Sequence, residues 1–244
     1  MLSAMKSPWS SLSVFFPAFN EEDALPGVVL NAKKVLQKLG IRQYEIIIVD
    51  DGSSDASGQI AEDLARNDSQ VKVIHHPTNL GYGAALSSGF KAARYEWVVY
   101  TDSDGQFDLA DIERFADSAS RVDVVLGRRH HRNDHKGRQL NAWLWGRIVN
   151  LILGLDVRDI DCGFKLFRTV RVRDLGSLES KGAVISAELL VKLQARGCKW
   201  EQIEVEHYPR RGGEPSGARL AVILRAIREL LRLRRSVRSI PISK

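Results

Sequence analysis

Residues 96–108 read E-W-V-V-Y-T-D-S-D-G-Q-F-D. The first six have the composition of a buried strand, and Asp102 and Asp104 follow it directly. Two carboxylates with one residue between them, in a turn, can address one hard divalent cation directly or through water. Gln106 adds a neutral oxygen. Aspartate is also common in ordinary polar turns, so the pair draws its weight from its place at a strand's carboxyl end. In open α/β sheets that is where ligands bind.

Outward from this stretch, short β-branched runs alternate with helical patterns. The spacing predicts strands over residues 11–16, 45–49, 71–75, 122–126 and 199–207. It predicts helices over 22–39, 55–67, 82–93, 109–119, 139–155, 185–196 and 218–235. This alternation implies an α/β fold of βαβ units with a mostly parallel central sheet flanked by helices. Two further polar clusters fall at strand ends. V-D-D-G-S-S-D at 49–55 has Gly52 for a tight turn and Asp55 as a helix cap, and Asp51 can accept from ribose hydroxyls or a base N–H. F-P-A-F-N-E-E at 16–22 carries acidic residues suited to a helix N-terminus.

The chain of 244 residues is long enough to bury its own core, and 44% hydrophobic with 27% charged residues excludes a disordered or fibrous chain. Residues 1–120 hold 10 Lys and Arg against 17 Asp and Glu, whereas residues 121–244 hold 26 against 13. An acidic first half suits a cation; a basic second half suits phosphate or anionic lipid. Cys162 and Cys198 lack metal-type spacing, and a reduced compartment is expected. Residues 142–155 are too short and too polar to span a bilayer, and Met1 to Ser11 lacks the apolar core of a signal peptide, so export is not expected.

The series P-A-F-N-E-E, V-D-D-G-S-S-D, N-L-G-Y-G-A-A, T-D-S-D-G-Q and D-C-G-F-K-L-F resembles glycosyltransferase family 2. Within it the closest likeness is to the dolichol-phosphate mannose synthase and polyprenyl-phosphate sugar transferase group. The resemblance implies a GT-A catalytic domain over residues 11–216, after a short extension at 1–10 and before a basic amphipathic helix and tail at 217–244. It also implies a GDP- or UDP-hexose donor, Mg2+ or Mn2+, and a polyprenyl phosphate acceptor. Pro17, Phe19 and Glu21 would lie beside the nucleoside, and Val49 and Asp51 would hold base and ribose. Asp102, Ser103 and Asp104 would hold the metal-bound diphosphate, with Asp102, Asp104 and Gln106 as metal ligands. Arg129 and Arg138 would clamp the acceptor phosphate, and Arg210 would bind the donor diphosphate. The catalytic roles fall to Asp104, Arg129 and Arg138. The late loop departs from the family's Gly-Glu-Ser-Lys, reading Gly213-Glu214-Pro215-Ser216 without the lysine.

Three other features have plainer readings. His130, His131 and His135 sit among arginines that would repel a metal, N-L-G-Y-G at 79–83 lacks a Walker lysine, and Cys162 reads as a buried structural thiol. The helix predicted over 218–235 has Leu220, Ile223, Leu224, Ile227, Leu230 and Leu231 on one face and Arg225, Arg228, Arg232 and Arg235 on the other. That pattern fits either an interfacial helix on anionic lipid or a core helix with a wet basic face. Trp143, Trp145, Leu151, Ile152 and Leu153 offer a second apolar surface. Membrane attachment would be peripheral, at the cytoplasmic face, or through a membrane-protein partner or second copy. Two rivals stay open: a family 2 enzyme acting on a saccharide or other hydroxyl, which would want a general base, and a noncatalytic nucleic-acid module. The second lacks interleaved stacking aromatics, so no nucleic acid is expected.

Overall fold

The computed structural model describes residues 9–130, 136–173, 175–176, 178–180, 184–209 and 220–238. Seven strands form one sheet: β1 (Ser11–Ala18), β2 (Gln43–Asp50), β3 (Val71–His75), β4 (Trp97–Thr101), β5 (Val124–Arg129), β6 (Phe164–Arg168) and β7 (Trp200–Val205). Their order is β3-β2-β1-β4-β6-β5-β7. β6 runs antiparallel to both β4 and β5, and the other pairs are parallel.

The helices are α1 (Leu25–Lys38), α2 (Ser57–Asn67), α3 (Tyr82–Ala92), the single turn α4 (Ala116–Ala119), α5 (Lys136–Leu153), α6 (Thr169–Arg173), α7 (Val184–Ala195) and α8 (Leu220–Arg238). Pro26 sits in the first turn of α1, where its missing N–H is not needed. Alternate residues of β2 feed opposite faces of the sheet. Ile46 and Ile48 pack into the core shared with Val29 and Leu36 of α1, while Ile47 and Val49 pack into the core shared with Leu86 and Phe90 of α3. On the second face Phe90 meets Phe15 and Phe167 edge-on, at 5.1 and 5.4 Å between ring centroids. Tyr100 stacks on Phe167 at 6.0 Å. This aromatic cluster fixes β4, the strand that delivers residues 102–106.

Three expectations change. Residues 164–168, where the spacing predicts no strand, form β6, antiparallel between β4 and β5. The helix expected over 109–119 is a 3-10 helix, Leu109–Phe115, running into α4. Its start is capped by the Asp108 carboxylate, which accepts from Ala110 N. Where its side chains are described, α8 buries Leu230 and Leu233 in the same core as α7 and Val149 of α5, while Leu231, expected on the apolar face, is exposed and Arg228, Arg232, Arg234 and Arg235 face outward. The described end of the terminal helix is therefore packed against α5 and α7. Among the described residues, no helix is long and apolar enough to cross a membrane.

Candidate active site

The order of the strands reverses between β1 and β4, since β1 is followed outward by β2 and β3 on one side and β4 lies on the other. The carboxyl ends of these parallel strands open a crevice there. Ser103, almost wholly buried, closes its floor by donating to the Pro17 carbonyl at 2.8 Å. Asp51 N donates to the Ala18 carbonyl at 2.9 Å. A second lattice ties the 20–22 turn to the 53–57 turn: Asn20 N donates to Ser53 Oγ, Ser54 N to Asn20 Oδ1, and Glu21 N to Ser57 Oγ. Asp55 accepts from Ser57 N at 2.9 Å, but α2 starts at Ser57 with Ala56 at its cap position, so Asp55 closes the turn before the helix and does not cap it as expected.

Phe19 is exposed on the turn after β1 and Glu21 is half-buried on the same turn, whereas Pro17 is buried near the end of β1 itself. Val49 and Asp51 are turned inward. Val49 is fully buried in the ladder opposite Pro17, so its side chain offers no surface to a base. Asp51 is 2% exposed and works as a staple. Its Oδ1 meets His76 Nδ1 at 2.6 Å and accepts from Leu80 N at 2.9 Å, and its Oδ2 accepts from Gly81 N at 2.8 Å. These bonds use both acceptor sites of Oδ1 and one of Oδ2, so a ribose hydroxyl would have the remaining Oδ2 site. Gly52, at φ +70°, is required here, because a Cβ would stand 2.4 Å from the Thr78 carbonyl carbon.

Asp102, Asp104 and Gln106 lie on the turn that follows β4, and the Gln106 side-chain amide donates to the Tyr208 carbonyl at 3.4 Å. Asp104 is buried, its Oδ1 accepting from Gln106 N at 3.0 Å. Asp102 is half-buried and accepts from the Tyr82 hydroxyl at 2.7 Å. Burial and the Asp104 carboxylate push the Asp102 carboxyl up to about 6, against the pull of Tyr82, Lys165 and Arg129. Burial, with the charge of Asp102, keeps the Tyr82 hydroxyl protonated well above its ordinary range, which leaves it a donor. Gln106 is tied to the irregular segment that follows β7: Tyr208 N donates to its main-chain carbonyl at 2.9 Å.

Among the described residues no three His, Cys, Asp or Glu side chains form a ready metal cluster. Two carboxylates and one amide oxygen still fit Mg2+ or Mn2+, because such ions take one or two carboxylates and complete their shell with water and substrate phosphates. The oxygen-only donor set suits a hard cation.

On the other side, Arg129 lies at the end of β5 with its side chain 9% exposed. Asp159 holds it in a fork, accepting from Nε at 2.7 Å and Nη2 at 2.6 Å. Its neighbour Arg128 is turned to Glu204, which also meets His130 Nδ1 at 2.9 Å; His131 and His135 lie outside the described residues. Arg138 lies in the first turn of α5, but its side chain is not among those described, and Arg210 and residues 213–216 also lie outside them. Cys162 is fully buried and its thiol is pushed up to about 12 by desolvation, as a structural thiol should be.

Three contributors escaped the sequence. Tyr82 and His76 lie in and beside the N-L-G-Y-G stretch, whose glycines signalled a turn but not its hydrogen bonds. Gly163 lies directly against Asp102, where a Cβ would stand 2.0 Å from Oδ2. Between residues 79–84 and 178–180 there is a cavity of ≈ 260 Å³, sharing Tyr82 with the carboxylate turn.

The chain belongs to glycosyl transferase family 2, whose model matches residues 13–176. It is therefore a glycosyltransferase, built on the GT-A fold. An undecaprenyl-phosphate mannosyltransferase of Micrococcus luteus is 26% identical over 81% of this chain and 84% of its own. A dolichyl-phosphate beta-glucosyltransferase of Saccharomyces cerevisiae is 27% identical over 89% of this chain and 71% of its own. In three dimensions the glucosyl-3-phosphoglycerate synthase of Mycobacterium tuberculosis, crystallised with Mn2+, UDP and phosphoglyceric acid, superposes with a TM-score of 0.66 at 19% identity, over 96% of this chain and 80% of that one.

Proposed function

We propose that this chain is a metal-dependent, inverting transferase that moves a hexose from GDP- or UDP-sugar to polyprenyl phosphate at the cytoplasmic face of a membrane. The observation that carries the reading is the 102–106 turn, with two carboxylates and an amide at the switch point of the sheet, opposite an arginine fixed on β5. The named acceptors of the Micrococcus and yeast relatives, both polyprenyl-type phosphates, point the same way.

Asp102, Asp104 and Gln106 would hold the cation, which supplies positive charge where the diphosphate leaves. The chain does the rest by placement. Pro17, Phe19 and Glu21 line the nucleoside side, and Ser103 keeps the two turns at fixed separation. Arg210 would meet the departing diphosphate. A lipid phosphate is already an anion near neutral pH, so it needs orientation rather than deprotonation. Arg129, aimed by Asp159, and Arg138 supply that orientation, and no general base is required.

The acceptor's apolar tail demands a nearby bilayer. The outward side of α5 supports one: Leu140, Trp143, Leu144 and Leu151 are exposed, Trp143 by 60% and Leu151 by 83%. The arginines on the outer side of the adjoining α8 suit anionic headgroups. The test is a mass-spectrometric screen of GDP- and UDP-hexoses against polyprenyl phosphate in vesicles, with and without chelator. One sugar-phospholipid product that disappears in chelator is expected. Turnover undiminished by chelator, or transfer only to saccharide hydroxyls, overturns the reading.

A further inference from the structure

Lys165 lies in the central strand β6, between Tyr100 of β4 and Leu126 of β5, and is 0% exposed. Its neighbours Phe164, Leu166 and Phe167 are core residues, and the carboxylate charge of Asp161 acts on it. A buried ammonium costs several kcal/mol, and apolar side chains that replace buried charges are often neutral or stabilising. Stability therefore gives no reason for a lysine here. Its hydrogen bonds give one: the ammonium donates to the Tyr100 hydroxyl at 3.2 Å and to the Cys162 carbonyl. Tyr100 precedes Asp102 by two residues on β4. Cys162 immediately precedes Gly163, whose backbone lies so close to Asp102 that no Cβ could be accommodated. Both bonds lead to the same carboxylate.

We propose that Lys165 is a positioning residue for the donor half of the site: through the Cys162 carbonyl and Gly163 it presses the 161–163 backbone against Asp102 and sets that carboxylate toward the Tyr82 hydroxyl. The proposal rests on the metal-diphosphate reading above. The device is a second-layer brace: the ammonium touches neither cation nor diphosphate, and it fixes the angle at which one ligand is offered. Outer partners of this kind change metal affinity by about 10–100-fold when removed.

The test is Mn2+ binding by the full-length chain, read by electron paramagnetic resonance with UDP and separately with GDP. Wild type should bind Mn2+ with one of the nucleotides. Lys165→Met should weaken that binding about 10–100-fold while melting at the same temperature or higher. With metal made saturating, its KM for the acceptor should match wild type, a pattern that loss of packing would not produce. Gly163→Ala, which attacks the last link of the chain of contacts, should reproduce the loss. Lys165→Met with wild-type Mn2+ affinity overturns the proposal. If that variant does not fold, Gly163→Ala with wild-type affinity overturns it instead. A wild-type chain that binds no Mn2+ with either nucleotide removes the metal reading and this proposal together, and no variant is needed to see it.

Discussion

The two sides of the crevice are built differently. On the β1–β4 side polar groups are tied to one another: Ser103 to Pro17, Asp51 to His76, Leu80 and Gly81, and Asp102 to Tyr82. On the β5–α5 side Arg129 hangs from one carboxylate, and apolar side chains on α5 face outward. The first arrangement is pre-organised, as suits a small ligand whose leaving group must be met without rearrangement. The second is open, as suits a long apolar acceptor delivered from a surface. On the proposed function, the difference teaches that rigidity would follow the leaving group and exposure would follow the acceptor.

The largest expected effect lies on the braced side. Asp104→Ala should lower turnover by about 10²–10³-fold, the scale of removing a group that stabilises developing charge. The turn is held elsewhere by Ser103, so the melting temperature should move little. Rates across a Mn2+ series, beside a melting curve, check this. Substantial turnover in the variant would break the comparison, because the braced side would then not be where charge is met.

The next effect probes the opposite side. Asp159→Ala leaves the Arg129 guanidinium buried without its fork, which should cost about 3–5 kcal/mol in urea unfolding. It should also raise the acceptor KM while leaving Mn2+ and nucleotide binding unchanged. Loss of nucleotide binding instead would mean that the two sides are one mechanical unit.

The braced side was legible because its chemistry is local in sequence. Asp102, Asp104 and Gln106 fall within five residues of one strand end, and Asp51 and Asp55 flank one glycine. What stayed hidden was non-local. That Asp51 would be engaged by His76 and by amides of residues 80 and 81 depends on the 76–81 loop folding back, which no spacing at 49–55 reveals. Strand β6 was missed because a lysine inside a short apolar run breaks both periodicities, and its antiparallel place between β4 and β5 follows from tertiary pairing alone. For α8 the expected apolar face is met only in part, since Leu230 is buried, Leu231 is exposed and Leu233 is buried in its place; a stripe of leucines is also the same whether it meets a core or a bilayer. Only the burial of Leu230 and Leu233 separates the two.

Leu230 and Leu233 of α8 are buried in the core, so on the proposed function the exposed apolar side chains of α5 would meet the lipid. Trp143→Ser combined with Leu151→Ser should weaken binding to anionic vesicles by about 10–100-fold, from the apolar area withheld from the bilayer. Both side chains are exposed, so unfolding free energy should stay within about 0.5 kcal/mol of wild type. Turnover of a short, water-soluble acceptor should be unchanged. Vesicle sedimentation at two salt concentrations reads the first, and equal binding by the variant would sharpen the comparison against α5 and toward a protein partner.

The smallest effect concerns how the braced side responds to pH. His75 bridges Asp50 Oδ2 at 2.8 Å and Glu62 Oε1 at 2.9 Å, and Asp50 Oδ1 accepts from Ser53 N at the foot of the nucleoside turn. The bond to Asp50 raises the His75 pKa above 6.5; burial opposes it, and Glu62 adds to the rise. A raised histidine stabilises the fold fully below its unfolded pKa, and that contribution is lost as pH rises through the folded value. Asp50 is held below its ordinary value, so it stays ionised throughout that range and adds no slope of its own there. Stability should therefore decline gently from pH 6 upward, by well under about 1 kcal/mol, since His75 is 42% exposed and the pair is screened. His75→Gln should flatten this slope, most visibly at low salt. Urea midpoints for the two proteins between pH 6 and 9 measure it, and parallel profiles would show that the turn is held by Ser53 and Asn20 without help from the histidine's charge.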